Sequence, residues 1–237
     1  MTHMRILTLA ATLWLPAATL ADEKATTPEE LVALLQAAQK GGDLKAELPL
    51  RGGPHRMLFE QAVEVAEAGK AFDKALDDKF GKDPNCRSIF AIQSKPVKQV
   101  ELRGKKDLGG GKVELTIWTV DEAVWETREV AIQENGGWVL LAQVPFTRST
   151  SMEEIRTVEG REVKVQVMSP PGEVTPEALA AARVAVPKMR AVLERGAKDV
   201  AAGKHASRQA AVTAVDNEVN ATVELEVRKS AGEMGPR

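Results

Sequence analysis

The chain has 237 residues, 43% hydrophobic and 28% charged, with a formal net charge of −2. That balance excludes a disordered chain and suits one ample domain or two small ones. There is no basic stripe and no aromatic platform with basic flanks, so nucleic acid is not an expected partner. A single cysteine, Cys86, excludes an internal disulfide.

Residues 1–21 read as an export signal. Arg5 gives a short basic start, residues 6–20 are apolar, and Thr19-Leu20-Ala21 places small residues ahead of Asp22. The run is short for a bilayer crossing. Cleavage near Ala21 and a secreted or periplasmic address are therefore expected, with no transmembrane segment in the mature chain.

Thr27-Pro28-Glu29-Glu30 opens the first helix. Thr27 is placed to cap, proline suits the first helical position, and Glu30 is spaced for a capping box. Leu31, Leu34, Leu35 and Ala38 form its apolar stripe, and Gly41-Gly42 ends it. Residues 43–56 contain Pro49, Gly52, Gly53 and Pro54, which allow a short helix and a loop. Leu58, Ala62, Val65, Gly69, Phe72, Leu76 and Phe80 recur every three or four residues, which predicts a longer helix over 57–80. A loop with a short strand at 89–92 follows, then a strand over 97–103. Gly109-Gly110-Gly111 reads as a hairpin connection. It is not a phosphate loop, because Lys112 leads into a strand rather than a helix.

Residues 113–144 alternate as two successive hairpins with turns at Asp121-Glu122 and Asn135-Gly136. Two-residue turns set Trp118 opposite Trp125 and Gln133 opposite Trp138. Trp118, Trp125 and Trp138 then share one face, as a partner patch or as packing for later helices. Val113, Leu115, Ile117, Val124, Val130, Ile132, Val139 and Leu141 line the other, interrupted by Glu126 and Arg128. One residue more in a turn would move a whole strand across. Residues 147–175 read as a linker with a polar helical turn in 148–159, one strand over 161–168, and a break at Pro170-Pro171-Gly172. Thr175-Pro176-Glu177 opens an alanine-rich helical region over 176–229, with a kink or restart at Pro187. Val223, Leu225 and Val227 also alternate like a strand. Residues 230–237 read as a disordered tail.

A capped helix, a glycine break with Asp43, a long amphipathic helix and an antiparallel sheet follow one another in residues 26–146. The segments TPEELVALLQAAQKGGD and ENGGWVLLA carry this order, which resembles the nuclear transport factor 2-like superfamily, also called ketosteroid isomerase-like, in its secreted bacterial branch. The resemblance implies an α+β fold in which N-terminal helices pack on a curved antiparallel sheet to make a cone. Members of that superfamily hold small molecules, act as interaction domains, or catalyse. Its isomerases pair an acidic base with a tyrosine and a second acid, and this chain has no tyrosine.

His55 lies in a Gly-Pro loop and His205 near a helix end, without metal-ligand spacing. No GxSxG elbow occurs. No catalytic residue, metal or cofactor is assigned. Cys86 reads as a small, partly buried loop residue. Glu126 and Arg128 are the candidate binding pair, holding either a polar ligand group or one another. The expected function is that of an exported, non-catalytic protein binding a small molecule or a protein, with a homodimer as one arrangement. The alternatives are a small-molecule enzyme using the cone, and a structural envelope protein assembling through its C-terminal helices.

Overall fold

The computed structural model describes residues 24–88, 90, 97–143, 151–158, 160–168 and 174–230. The segment expected to direct export, most of the short strand expected at 89–92, the proline break and the tail beyond Ser230 lie outside the described residues. The first helix, α1 (Pro28–Lys40), starts where Thr27 is extended and its hydroxyl accepts from the Glu30 N–H at 3.1 Å. Glu30 reaches back to Thr26 rather than Thr27, taking its N–H and its hydroxyl at 2.7 Å each. The donors of the first turn are thus satisfied one residue further out than in a capping box. A 3-10 helix, Leu44–Leu50, is capped by Asp43 and leads into β1 (Arg51–Gly52) and then α2 (Arg56–Phe80).

Among the described residues the sheet is mixed and has seven strands. β2 (Gln99–Gly109), β3 (Lys112–Val120), β4 (Val124–Glu134) and β5 (Gly137–Leu141) form an antiparallel run, and β1 adds in parallel to β5. β4 divides one edge between two partners. Its last four residues pair with β5, while Val124, Trp125 and Glu126 pair in parallel with β7 (Arg161–Met168). β6 (Ser151–Val158) lies beyond β7. The stretch expected as a polar helical turn is therefore a strand. Glu153, Glu154 and Arg156 hide its period of two, but alternate residues of β6 take the same faces as their partners on β7.

Two apolar clusters stand out among the described residues. Leu31, Val32, Leu35 and Ala38 of α1 pack on Val100, Leu115, Ile117, Ala131 and Leu140 of the sheet. α2 turns its stripe elsewhere: Val65, Phe72 and Leu76 join α3 (Pro176–Ala201) and α4 (Arg208–Ser230) through Met189, Leu193, Val200, Val215 and Val219. Among the described residues, α1 and not α2 shares a core with the antiparallel strands. The C-terminal helices cover the α2 stripe from Val65 to Phe80. α3 runs through Pro187 as one helix, and residues 223–227 belong to α4.

The loop between α2 and β2 is held by Arg208. Its Nε donates to the Cys86 carbonyl at 2.6 Å and Nη1 to that of Gly81 at 2.7 Å, while Nη2 lies 2.9 Å from Asp77. Cys86 is half-buried there, with its thiol against Gln209.

Candidate functional site

The β3–β4 turn decides what surrounds Glu126. Asp121 accepts from the Ala123 N–H at 2.9 Å through its side chain, and Val120 pairs with Val124. This side-chain turn lengthens the loop from two residues to three. Trp118 consequently faces Glu126, and Trp125 faces Thr119. The expected Trp118–Trp125 pairing is replaced, whereas Gln133 does face Trp138. The row Val113, Leu115, Ile117 moves to the α1 face, beside Ala131 and Leu140, where it completes the core. The three tryptophans therefore do not share a face. Trp118 lies on one, while Trp125 and Trp138 lie on the other, and Trp138 packs at the margin of the α1 core.

Glu126 is 2% exposed at the fork of β4. Its Oε2 accepts from the Trp118 indole N–H at 2.7 Å and from Arg156 Nη1, and its Oε1 accepts from Arg156 Nη2 at 3.2 Å. Arg156 also donates to Glu154, through Nε at 3.1 Å and Nη2 at 2.9 Å. The hydrogen bonds to Glu154 and then Glu126 hold the guanidinium above its usual range. On the other side, the Arg103 guanidinium stacks 4.4 Å from the Trp118 ring and pairs with Glu101. The arrangement is an alternating chain of acids, arginines and one indole across β2, β3, β4 and β6.

The expected pair of Glu126 with Arg128 is not formed. Arg128 is exposed, faces Thr116, and has no ion-pair partner among the described residues. Burial made the acid costly to leave alone, and Arg156, brought alongside by the β7–β4 pairing, supplies the charge. Thirty residues separate the two, so no local spacing in the sequence reveals them.

A second buried charge cluster sits beneath α1 and was also not read from the sequence. Arg51 binds Glu47 at 2.9 Å and Glu129 at 3.2 Å, and lies 5.1 Å from the Phe59 ring. Gln39 donates to Glu47 and Gln143 to Glu129. Burial opposes the charge on Arg51, and the carboxylates of Glu129 and Glu47 more than offset it, so its pKa is raised. The one hint was Glu47 four residues before Arg51, across Pro49.

Two clefts among the described residues have volumes of about 260 and 230 Å³. The first lies between α2 and α3 beside Gln61, Pro187 and Arg190. The second lies beside Lys24, Arg51, Arg56, Glu134 and Trp138. Neither is lined by Glu126. His55 and His205 are far apart in the chain, and the described residues contain no group of three or more His, Cys, Asp or Glu arranged to hold a metal ion. No described helix is long and apolar enough to cross a membrane. No protein-family model, no curated protein and no solved structure matches this chain.

Proposed function

We propose that this chain is an exported interaction protein that binds without catalysis. The observation carrying that reading is the state of Glu126. A base or ligand-holding acid needs a free oxygen directed at a cavity, whereas Glu126 spends both oxygens on Trp118 and Arg156. The two clefts among the described residues also fall below the roughly 300–1,000 Å³ usual for small-molecule sites, so neither of them supports a small-molecule reading. The cone of the nuclear transport factor 2-like superfamily remains our reading for α1 and the sheet it covers, with α2 diverted to the C-terminal helices.

Native mass spectrometry of the purified protein tests the absence of a resident ligand. The expected mass is that of the polypeptide alone. A retained small molecule that Glu126→Gln releases from a folded protein would overturn the proposal in favour of a small-molecule site or enzyme. Export is tested by N-terminal sequencing of protein from its host. A start near Asp22 is expected, and an intact Met1 in the final product would sink it. The reading of an envelope protein assembling through C-terminal helices has one observation behind it: Val184, Leu225 and Val227 on α3 and α4 are 44%, 40% and 50% exposed.

A further inference from the structure

Two long strands bound the sheet, and they are built differently. β2 carries Lys105 and Lys106, and two register shifts interrupt its pairing with β3, at Leu102/Gly104 and Asp107/Gly109. Lysines and bulges are common means of blocking an edge against a further strand. β6 pairs with β7 along all eight of its residues without a shift. Among the described residues, nothing pairs with its outer side. It contains no lysine and no proline. Met152 and Ile155, one on each face, are both 63% exposed, more than any other large hydrophobic residue described.

We propose that β6 pairs antiparallel with β6 of a second copy, about a two-fold axis at Ile155, so that two sheets become one. The sequence of the strand selects this occupant and this register. A two-fold axis normal to an antiparallel sheet sets one residue opposite itself, and the residues flanking it opposite one another. β6 reads Met152-Glu153-Glu154-Ile155-Arg156-Thr157-Val158. With Ile155 on the axis, Glu154 faces the partner's Arg156, and the same pair recurs by symmetry. Met152 faces the partner's Val158, again twice. Ile155 meets the partner's Ile155 on the other face, so both exposed apolar side chains are covered. Facing opposite charges stabilise a strand pair and facing like charges destabilise it. An axis at Glu153 or Glu154 would set glutamate against glutamate, and one at Arg156 would set arginine against arginine.

The charges already in place agree with this register. Within one copy, Arg156 serves two carboxylates, Glu126 and Glu154. Across the axis each Glu154 lies beside the partner's Arg156 and each Arg156 beside the partner's Glu154, so the added contacts at this position join opposite charges. The inference goes beyond the proposed function and depends on neither export nor family resemblance.

Sedimentation of the purified protein at micromolar concentration tests it. The expected mass is twice that of the chain. Ile155→Lys places two ammonium groups on the axis and should yield a monomer with unchanged far-UV circular dichroism, because the residue is exposed in a single copy. Leu225→Lys, on α4, should remain dimeric. In a Cys86→Ser background, Ile155→Cys should form an intermolecular disulfide under mild oxidation. Facing Cα atoms about 4.5–5.5 Å apart fall within the range of roughly 4.4–6.8 Å that a disulfide spans. Glu153→Cys, which faces Thr157, should not cross-link. This arm decides the matter even if Ile155→Lys disturbs the fold. A monomeric parent, a dimer that Leu225→Lys dissociates and Ile155→Lys does not, or cross-linking at 153 but not 155 would each overturn the proposal.

Discussion

Glu126 shows how a single buried acid can be mistaken for a site. Its position on an apolar strand suggests a tuned carboxylate or a ligand contact, and Arg128, two residues on, suggests a partner. The two arginines near it then make opposite predictions. Arg156→Ala leaves Glu126 buried with only an indole N–H, and removing one member of a buried pair costs about 3–5 kcal/mol. Arg156 is 34% exposed, so the lower end, about 3 kcal/mol, is expected from denaturant unfolding. Arg128→Ala should change stability by less than about 0.5 kcal/mol, as surface substitutions do. Equal losses at both positions would mean that Arg128 and not Arg156 neutralises the acid, or that both share it. Asp73 on α2 makes a prediction of a different kind. It is 3% exposed, and desolvation pushes its carboxyl above the usual range despite the Ser88 N–H, Arg87 and Arg208 beside it. The folded protein therefore keeps that proton to a higher pH than the unfolded chain does. The stability that Asp73 contributes falls as pH rises from the ordinary aspartate value of ~3.9 through the raised folded value. Urea midpoints measured across that window should fall in the parent relative to Asp73→Asn, since lowered acids such as Glu67 and Glu226 push the other way equally in both proteins. Parallel curves for the two proteins would remove the assignment.

At the scale of elements, sequence periodicity was a reliable guide wherever one face of a segment meets one core. α1 and α2 fall within a residue of where Thr27-Pro28 and the Leu58-to-Phe80 stripe place them, and β7 occupies the expected span. Register was not legible to the same degree. The Asx turn at Asp121 adds one residue, and that residue carries β3 to the opposite face of β4. β6 was missed because its exposed edge tolerates charges on both faces, which erases the alternation. The partner of Glu126 was hidden for the same reason, since it lies on that strand. Packing between helices gives a further test. At Gly196 on α3, an added Cβ would lie 2.6 Å from Val215 Cγ2 on α4 and 3.3 Å from the Phe72 ring on α2. Gly196→Ala would gain up to about 1 kcal/mol of helix propensity. Overpacking a core typically costs about 1–3 kcal/mol, and here it acts on two neighbours at once. A net loss of about 1 kcal/mol is expected from chemical denaturation, whereas a gain would show that α3 and α4 part easily at this point.

On the scale of the whole molecule, the described contacts that join the sheet side to the helical bundle lie along the first half of α2. Phe59 reaches the Arg51 cluster and Glu67 pairs with Lys45, while the stretch from Val65 to Phe80 packs into the bundle with α3 and α4. A chain with two cores and so slender a junction can unfold in two steps, and the positions of its chromophores separate the steps. Trp118, Trp125 and Trp138 all belong to the sheet, so in protein lacking residues 1–21 fluorescence reports the sheet alone. Circular dichroism at the helical band reports chiefly α2, α3 and α4. Leu193 and Leu115 are both fully buried, one in each core, and Leu→Ala at such sites costs roughly 2–5 kcal/mol. Leu193→Ala should lower the midpoint seen by circular dichroism while moving the fluorescence midpoint less than half as far. Leu115→Ala should do the reverse. If each variant instead moves both midpoints equally, the junction at Arg51 and Phe59 couples the cores tightly enough for the chain to unfold as one unit, and the division into a covered sheet and a helical bundle would have no energetic meaning.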